Sequence, residues 1–132
     1  MKKRFRFENL DVWQEARRLN RQVYSIASRF PSAEQFGLTS QLRRASVSVS
    51  SNIAEGSGRN SDKGFAQFLE IAYGSLMEVA SQLYLAIDLS YMDEAGADDV
   101  LEAVRVLAAK IAALNRSMLV KESKVRVRSV EG

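Results

Sequence analysis

The first seven residues set four cations, Lys2, Lys3, Arg4 and Arg6, around two phenyl rings, Phe5 and Phe7. Cationic side chains among aromatic rings suit a polyanion: guanidinium groups match the phosphate fork, and each phosphate neutralised releases counterions. More cations follow at Arg17, Arg18 and Arg21, at Arg59, and at Lys121, Lys124, Arg126 and Arg128. A second constellation lies in the stretch from Gln41 to Gly58, QLRRASVSVSSNIAEGSG, which combines paired arginines, a run of small residues and a late carboxylate. Read structurally, Gln41, Arg43, Arg44, Asn52, Glu55 and Glu78 form a buried or interfacial polar network that fixes helix register or subunit contacts. Read functionally, Arg43 and Arg44 face outward and grip phosphate. The nucleic-acid-binding candidates are therefore Lys2, Lys3, Arg4, Arg17, Arg18, Arg21, Arg43, Arg44, Arg59, Lys124, Arg126 and Arg128.

Catalytic chemistry has little to work with. The sequence has no cysteine and no histidine, so thiolate nucleophiles, thiolate metal sites and the commonest general base are missing. Glu55, Glu70 and Glu78 invite comparison with di-metal bundles, but those sites use Glu-x-x-His pairs. The GSGRNSDKG segment, Gly56 to Gly64, lacks the Walker spacing and a preceding strand, and reads as an interhelical turn. No catalytic, metal or cofactor-binding residue is assigned, and the chain is expected not to be an enzyme.

A length of 132 residues, 46% of them hydrophobic and 27% charged, fits one domain with one core. The N-terminal residues lack the apolar run of a signal peptide and no transmembrane stretch follows, so the expected compartment is the cytoplasm, away from membranes. The net charge of +3 hides an asymmetry: +5 over residues 1–30, +1 over 31–60, −8 over 61–104 and +5 over 105–132. One end or face should be basic and another acidic.

Helical stripes position these groups. Val12, Ala16, Leu19, Val23, Ile26 and Phe30 predict a first helix over about 11–29, with Asp11 as N-cap and Pro31 beyond its end. Ser32 and Gln35 have capping-box spacing. Leu38, Leu42, Ala45, Val49 and Ile53, with a second apolar edge at Val47 and Ala54, predict a second helix over about 38–55, covered on most sides. Phe65, Leu69, Ala72, Leu76, Val79, Leu83 and Ala86 hold a heptad for three repeats and predict a third, opened by Ser61 or Asp62. Leu101, Val104, Ala108, Ile111, Leu114 or Asn115, and Met118 predict a fourth, starting at Asp93 or Asp98. The last residues, VKESKVRVRSVEG, alternate like a strand with nothing to pair with and read as a loose basic tail. The expected fold is all-α, an antiparallel up-down-up-down four-helix bundle over 11–118, with a basic N-terminal arm (1–10) and a basic C-terminal tail (119–132). In that topology both basic segments meet at one end.

Several ordered motifs make a family resemblance. They are Phe7-Glu8-Asn9-Leu10 before Val12-Trp13, Phe30-Pro31, Glu34 with Phe36-Gly37-Leu38, Gln41-Leu42-Arg43-Arg44-Ala45, Asn52-Ile53-Ala54-Glu55-Gly56, and Ala72-Tyr73-Gly74-Ser75-Leu76 with Glu78. Over about residues 5–118 the chain resembles the four-helix-bundle proteins of 23S ribosomal RNA intervening sequences. That resemblance implies the antiparallel bundle and a homopentameric ring. It also implies kinship in fold with the accessory variability protein of diversity-generating retroelements, which partners a reverse transcriptase and nucleic acid. The family's signature positions fall on Gln41, Arg43, Asn52, Glu55, Gly56, Gly74 and Glu78. No settled activity comes with it. The expected function is a non-enzymatic homo-oligomer that binds RNA or DNA backbone or scaffolds a nucleic-acid enzyme; the rival is a self-assembly module without a nucleic-acid role.

Overall fold

A computed structural model describes residues 2–131, with side-chain surroundings over 2–128. Met1 and Gly132, the outermost residues of the two basic segments, lie outside the described residues. Four helices follow one another: α1 Asp11–Ala27, α2 Leu38–Ser57, α3 Asp62–Asp88 and α4 Glu94–Glu131. Single 3₁₀ turns at Arg6–Asn9 and Ser32–Glu34 precede α1 and α2, and among the described residues no strand occurs. Each helix packs mainly on two others, α1 on α2 and α4, α3 on α2 and α4. Short loops join the neighbours, so the bundle is antiparallel and up-down-up-down.

The heptad on α3 is its spine, all seven members from Phe65 to Ala86 being at most 2% exposed. Leu19 and Val23 of α1, Leu42, Val49 and Ile53 of α2, and Val104, Leu107 and Ile111 of α4 close around it. Ser61 caps α3, its hydroxyl accepting from the Gly64 amide at 3.0 Å, and Asp93 caps α4 by accepting from the Gly96 amide at 2.6 Å. At the far end of α3 the amide of Tyr91 donates to the carbonyl of Ala86 and that of Ser90 to Ile87. This is a Schellman ending, with Ser90 at φ 62° where glycine is usual.

Several local expectations are corrected. Asp11 is the first residue of α1, not its cap; the cap is Leu10, without a side-chain bond, and the Asp11 carboxylate accepts from Lys110 of α4 at 3.0 Å. The Ser32 and Gln35 box is not made. Instead Glu34 works in both directions, Oε1 accepting from the Leu38 amide at 3.3 Å and Oε2 from the Tyr91 hydroxyl at 2.8 Å. That carboxylate ties the α1–α2 loop to the α3–α4 loop. The second apolar edge of α2 is only partly covered: Ala54 is half-buried, but Val47 is 40% exposed.

The largest correction is at the C-terminus. Residues 119–131, expected as a loose tail with strand-like alternation, continue α4 as helix. With 38 residues α4 is about 57 Å long against about 40 Å for the 27 residues of α3. Nucleation is already met in the packed half, and adding turns to an existing helix is cheap. Glu122 and Arg126 have i,i+4 spacing, and Arg126 and Arg128 suit the negative end of the helix dipole.

Candidate functional site

Topology sorts the charges by end. Asn115 of α4 donates its side-chain amide to the Ala66 carbonyl of α3 at 2.7 Å, which places residue 115 beside the start of α3. Arg6 donates to the Ser57 carbonyl at 3.1 Å and lies 5.3 Å from the Phe65 ring centre. The N-terminal turn, the α2–α3 turn and the protruding part of α4 therefore share one end. That end carries Lys2, Lys3, Arg4, Arg6, Arg59, Lys63 and Arg116 against Glu8, Glu55 and Asp62, and the α4 extension adds Lys121, Lys124, Arg126 and Arg128 against Glu122. Glu34, Asp88, Asp93, Glu94, Asp98 and Asp99 belong to the opposite end, about the Glu34–Tyr91 bond, with Arg29 as a cation among them.

The N-terminal turn is held before anything binds. Glu8 Oε1 accepts from the amides of Arg4 and Phe5, both at 3.1 Å, the reach-back of a capping box. Gln14 donates to the Glu8 carbonyl at 3.1 Å. On this frame Phe5 and Phe7 stack in parallel, ring centres 5.7 Å apart and planes 6° from each other. Phe7 then meets Trp13 at 4.7 Å, and the Arg17 guanidinium lies 5.4 Å from the Trp13 ring centre. Phe5 remains 60% exposed. An open cavity of about 410 Å³ is lined by these rings, by Lys2, Lys3, Arg4 and Arg17, and by Glu8 and Gln14.

Of the twelve binding candidates, this cavity gathers four: Lys2, Lys3, Arg4 and Arg17. Lys124 and Arg128 line a shallow cleft with Ser123 and Val127 on the α4 extension, and Arg126 is exposed on the same extension. Arg59 lies over the Phe68 ring at 4.5 Å on the α2–α3 turn. Arg18 and Arg21 are elsewhere, in the α1–α4 groove with Glu15, Asp99 and Glu102. Arg43 lies against the Tyr24 ring at 5.0 Å with Nε buried and unbonded. Arg44 is exposed.

The polar network is not made within the chain among the described residues. Gln41, Arg44, Glu55 and Glu78 are exposed. Asn52 bonds its own helix, donating to the Ser48 carbonyl at 2.8 Å and hydroxyl at 3.0 Å. Ion pairs among the described residues are Arg105 with Glu102, and Lys110 with Asp11 and Glu15. The hydrogen bond from Arg105, opposed by slight burial and aided by its charge, holds the Glu102 carboxyl below its ordinary value. No group of three or more carboxylates among the described residues is placed to hold a metal ion, and no helix is long and apolar enough to cross a membrane.

The frame that presents the rings has a sequence signal that is easily passed over. Glu8 stands three residues after Phe5, the spacing of a reach-back cap. Gln14 and Trp13 have none, because their roles depend on how the 3₁₀ turn folds back on α1.

Comparison with known proteins follows from this geometry. A family model described as 23S rRNA-intervening sequence protein matches residues 8–113. A crystal structure of a protein of unknown function from the S23 ribosomal protein family of Bacteroides thetaiotaomicron superposes with a TM-score of 0.71 at 18% identity, covering 79% of this chain and 97% of that one. At that identity the likeness is one of fold. Comparison with curated proteins finds no match.

Proposed function

The chain belongs to the 23S rRNA-intervening sequence protein family, and from that premise we propose a non-catalytic cytoplasmic homo-oligomer that engages RNA or DNA backbone through its basic end, or docks a nucleic-acid enzyme there. The observation that carries this reading is the segregation of charge along the bundle axis. The N-terminal turn and the α4 extension put their cations at one end, and the acidic loops are at the other. A duplex or strand meeting the basic end feels several cations at once, and a closed ring, a pentamer as the family resemblance implies, repeats that end around its axis.

Filter binding of RNA and DNA oligonucleotides at about 50 and about 200 mM salt tests it. Six or more phosphate contacts predict a fall in affinity of about a thousandfold or more between the two. No retention at the lower salt removes nucleic acid from the account.

A second reading, an assembly module only, is favoured by the outer face of α2 and α3. Val47, Ile71 and Leu85 are 40–52% exposed there, Arg44 and Glu78 are unpaired within the protomer, and Gly74 has open space around it. Light scattering of an Arg44→Ala variant separates the two. A lost ring favours assembly, and an intact ring with weaker oligonucleotide binding favours recognition.

A further inference from the structure

The aromatic cluster at the basic end leaves one ring open, that of Phe5. Phe7 is half-buried, parallel to Phe5 and tilted 57° to Trp13, while Phe5 at the outer edge of the cluster stays 60% exposed. The turn that carries it is tied by its own cap, by Gln14 and by Arg6, so the ring is presented at little ordering cost when a ligand arrives. Lys2, Lys3, Arg4 and Arg17 line the same cavity. We propose that Phe5 is a stacking platform for an unpaired base of single-stranded RNA or DNA, the base lying on the exposed Phe5 ring and its flanking phosphates on the four cations.

This deepens the nucleic-acid reading above and rests on it. A flat π-face beside ammonium and guanidinium groups matches a nucleobase joined to phosphates, and it discriminates by strandedness rather than by sequence. In a duplex both faces of each internal base are covered by its neighbours, so only the phosphates remain for the cations. A single strand offers both. One oxygen of the Glu8 carboxylate in the cavity, Oε1, accepts from two backbone amides. Its single negative charge is outnumbered there by the four cations.

The sequence has one tryptophan, Trp13, which lines the same cavity with its ring centre 4.7 Å from that of Phe7, so its fluorescence reports on the site. The full chain is titrated with a single-stranded RNA of about a dozen nucleotides, with the duplex of equal length, and with polyphosphate. Stacking predicts that Phe5→Ala weakens single-strand binding about 5- to 100-fold and leaves duplex binding within about twofold, and that Phe5→Trp, followed by filter binding, restores it. Replacing Lys2 and Lys3 by Gln weakens all three ligands alike. If Phe5→Ala leaves single-strand affinity unchanged, or lowers single-strand and duplex affinity equally, the platform is overturned while the basic-end reading stands. Failure of the unaltered chain to bind any of the three overturns both.

Discussion

Asn115 and Ala66 are joined across two helices: the side-chain amide of one donates to the backbone carbonyl of the other at 2.7 Å. The acceptor already lies within α3, so its second lone pair takes the bond and no helical bond is given up. This contact fixes where α4 passes the start of α3 and hence how much of α4 stands clear of the bundle. Asn115→Ala should cost about 1 kcal/mol, read as a lowered urea midpoint with an unchanged slope. An unaltered midpoint would show that apolar packing alone sets the register.

The α4 extension should be separable from the bundle. Met118 is 5% exposed, and Leu119, Val120, Val125 and Val127 are 46–58% exposed, so little core lies beyond residue 118. A chain stopped after Met118 is expected to keep its thermal midpoint within a few degrees, since the core is intact. Its far-ultraviolet helix signal should fall by the share of helix removed, and its oligonucleotide affinity should drop and become less sensitive to salt. Unfolding of the shortened chain would contradict the burial pattern.

Two glycines on neighbouring helices predict opposite outcomes. A Cβ at Gly56 would stand 2.7 Å from Phe68 Cβ and 2.9 Å from Phe65 Cδ1, whereas one at Gly74 meets nothing within 4 Å. Gly56→Ala should destabilise by about 1–3 kcal/mol through overpacking, and Gly74→Ala should stabilise an isolated protomer by about 1 kcal/mol through helix propensity. Denaturation at low protein concentration checks both. Gly74→Ala that stabilises the protomer yet weakens the oligomer in sedimentation would mark the α2–α3 face as the subunit contact.

Ser90 is the non-glycine residue with positive φ among the described residues. An L side chain in that region costs about 1–2 kcal/mol, and glycine is the usual occupant of this helix ending. Ser90→Gly should therefore raise stability, by up to about 1 kcal/mol after the entropy of the unfolded glycine is counted. An unchanged or lower thermal midpoint would argue that the serine side chain compensates.

Tyr91 supplies a pH dependence with a definite sign. The Glu34 carboxylate accepting its hydroxyl proton, then partial burial, then the Glu34 charge raise the phenol above its ordinary value of 10.0. The folded chain holds this proton more tightly than the unfolded chain. The contribution is thus complete below the unfolded value and is lost as pH rises through the folded one. Wild type should lose more stability than Tyr91→Phe between about pH 9 and about pH 11, as followed by urea midpoints, with absorbance near the phenolate band tracking the ionisation. Parallel curves would mean that the loop-to-loop bond is absent in solution.

The four helices were legible in the sequence because burial along a helix is written locally, as a period: the α3 heptad and the α1 stripe need no knowledge of what lies opposite. The Ser61 cap and the presence of a basic and an acidic half were legible for the same reason, each resting on neighbours in the chain. The partners of the charges were not. Asp11 reads as a cap and is an ion-pair partner of Lys110, ninety-nine residues away; Glu34 reads only as part of a family motif and binds Tyr91; Arg43 reads as a network member and lies on Tyr24. The C-terminal alternation of Val125, Arg126, Val127 and Arg128 looked like a strand because side-chain types alone cannot register that an established helix is already growing into them. What tertiary structure decided was which distant groups face each other and how far α4 outruns its neighbours. Those depend on the distances between separate helices, and a distance between elements has no trace in the order of residues within one.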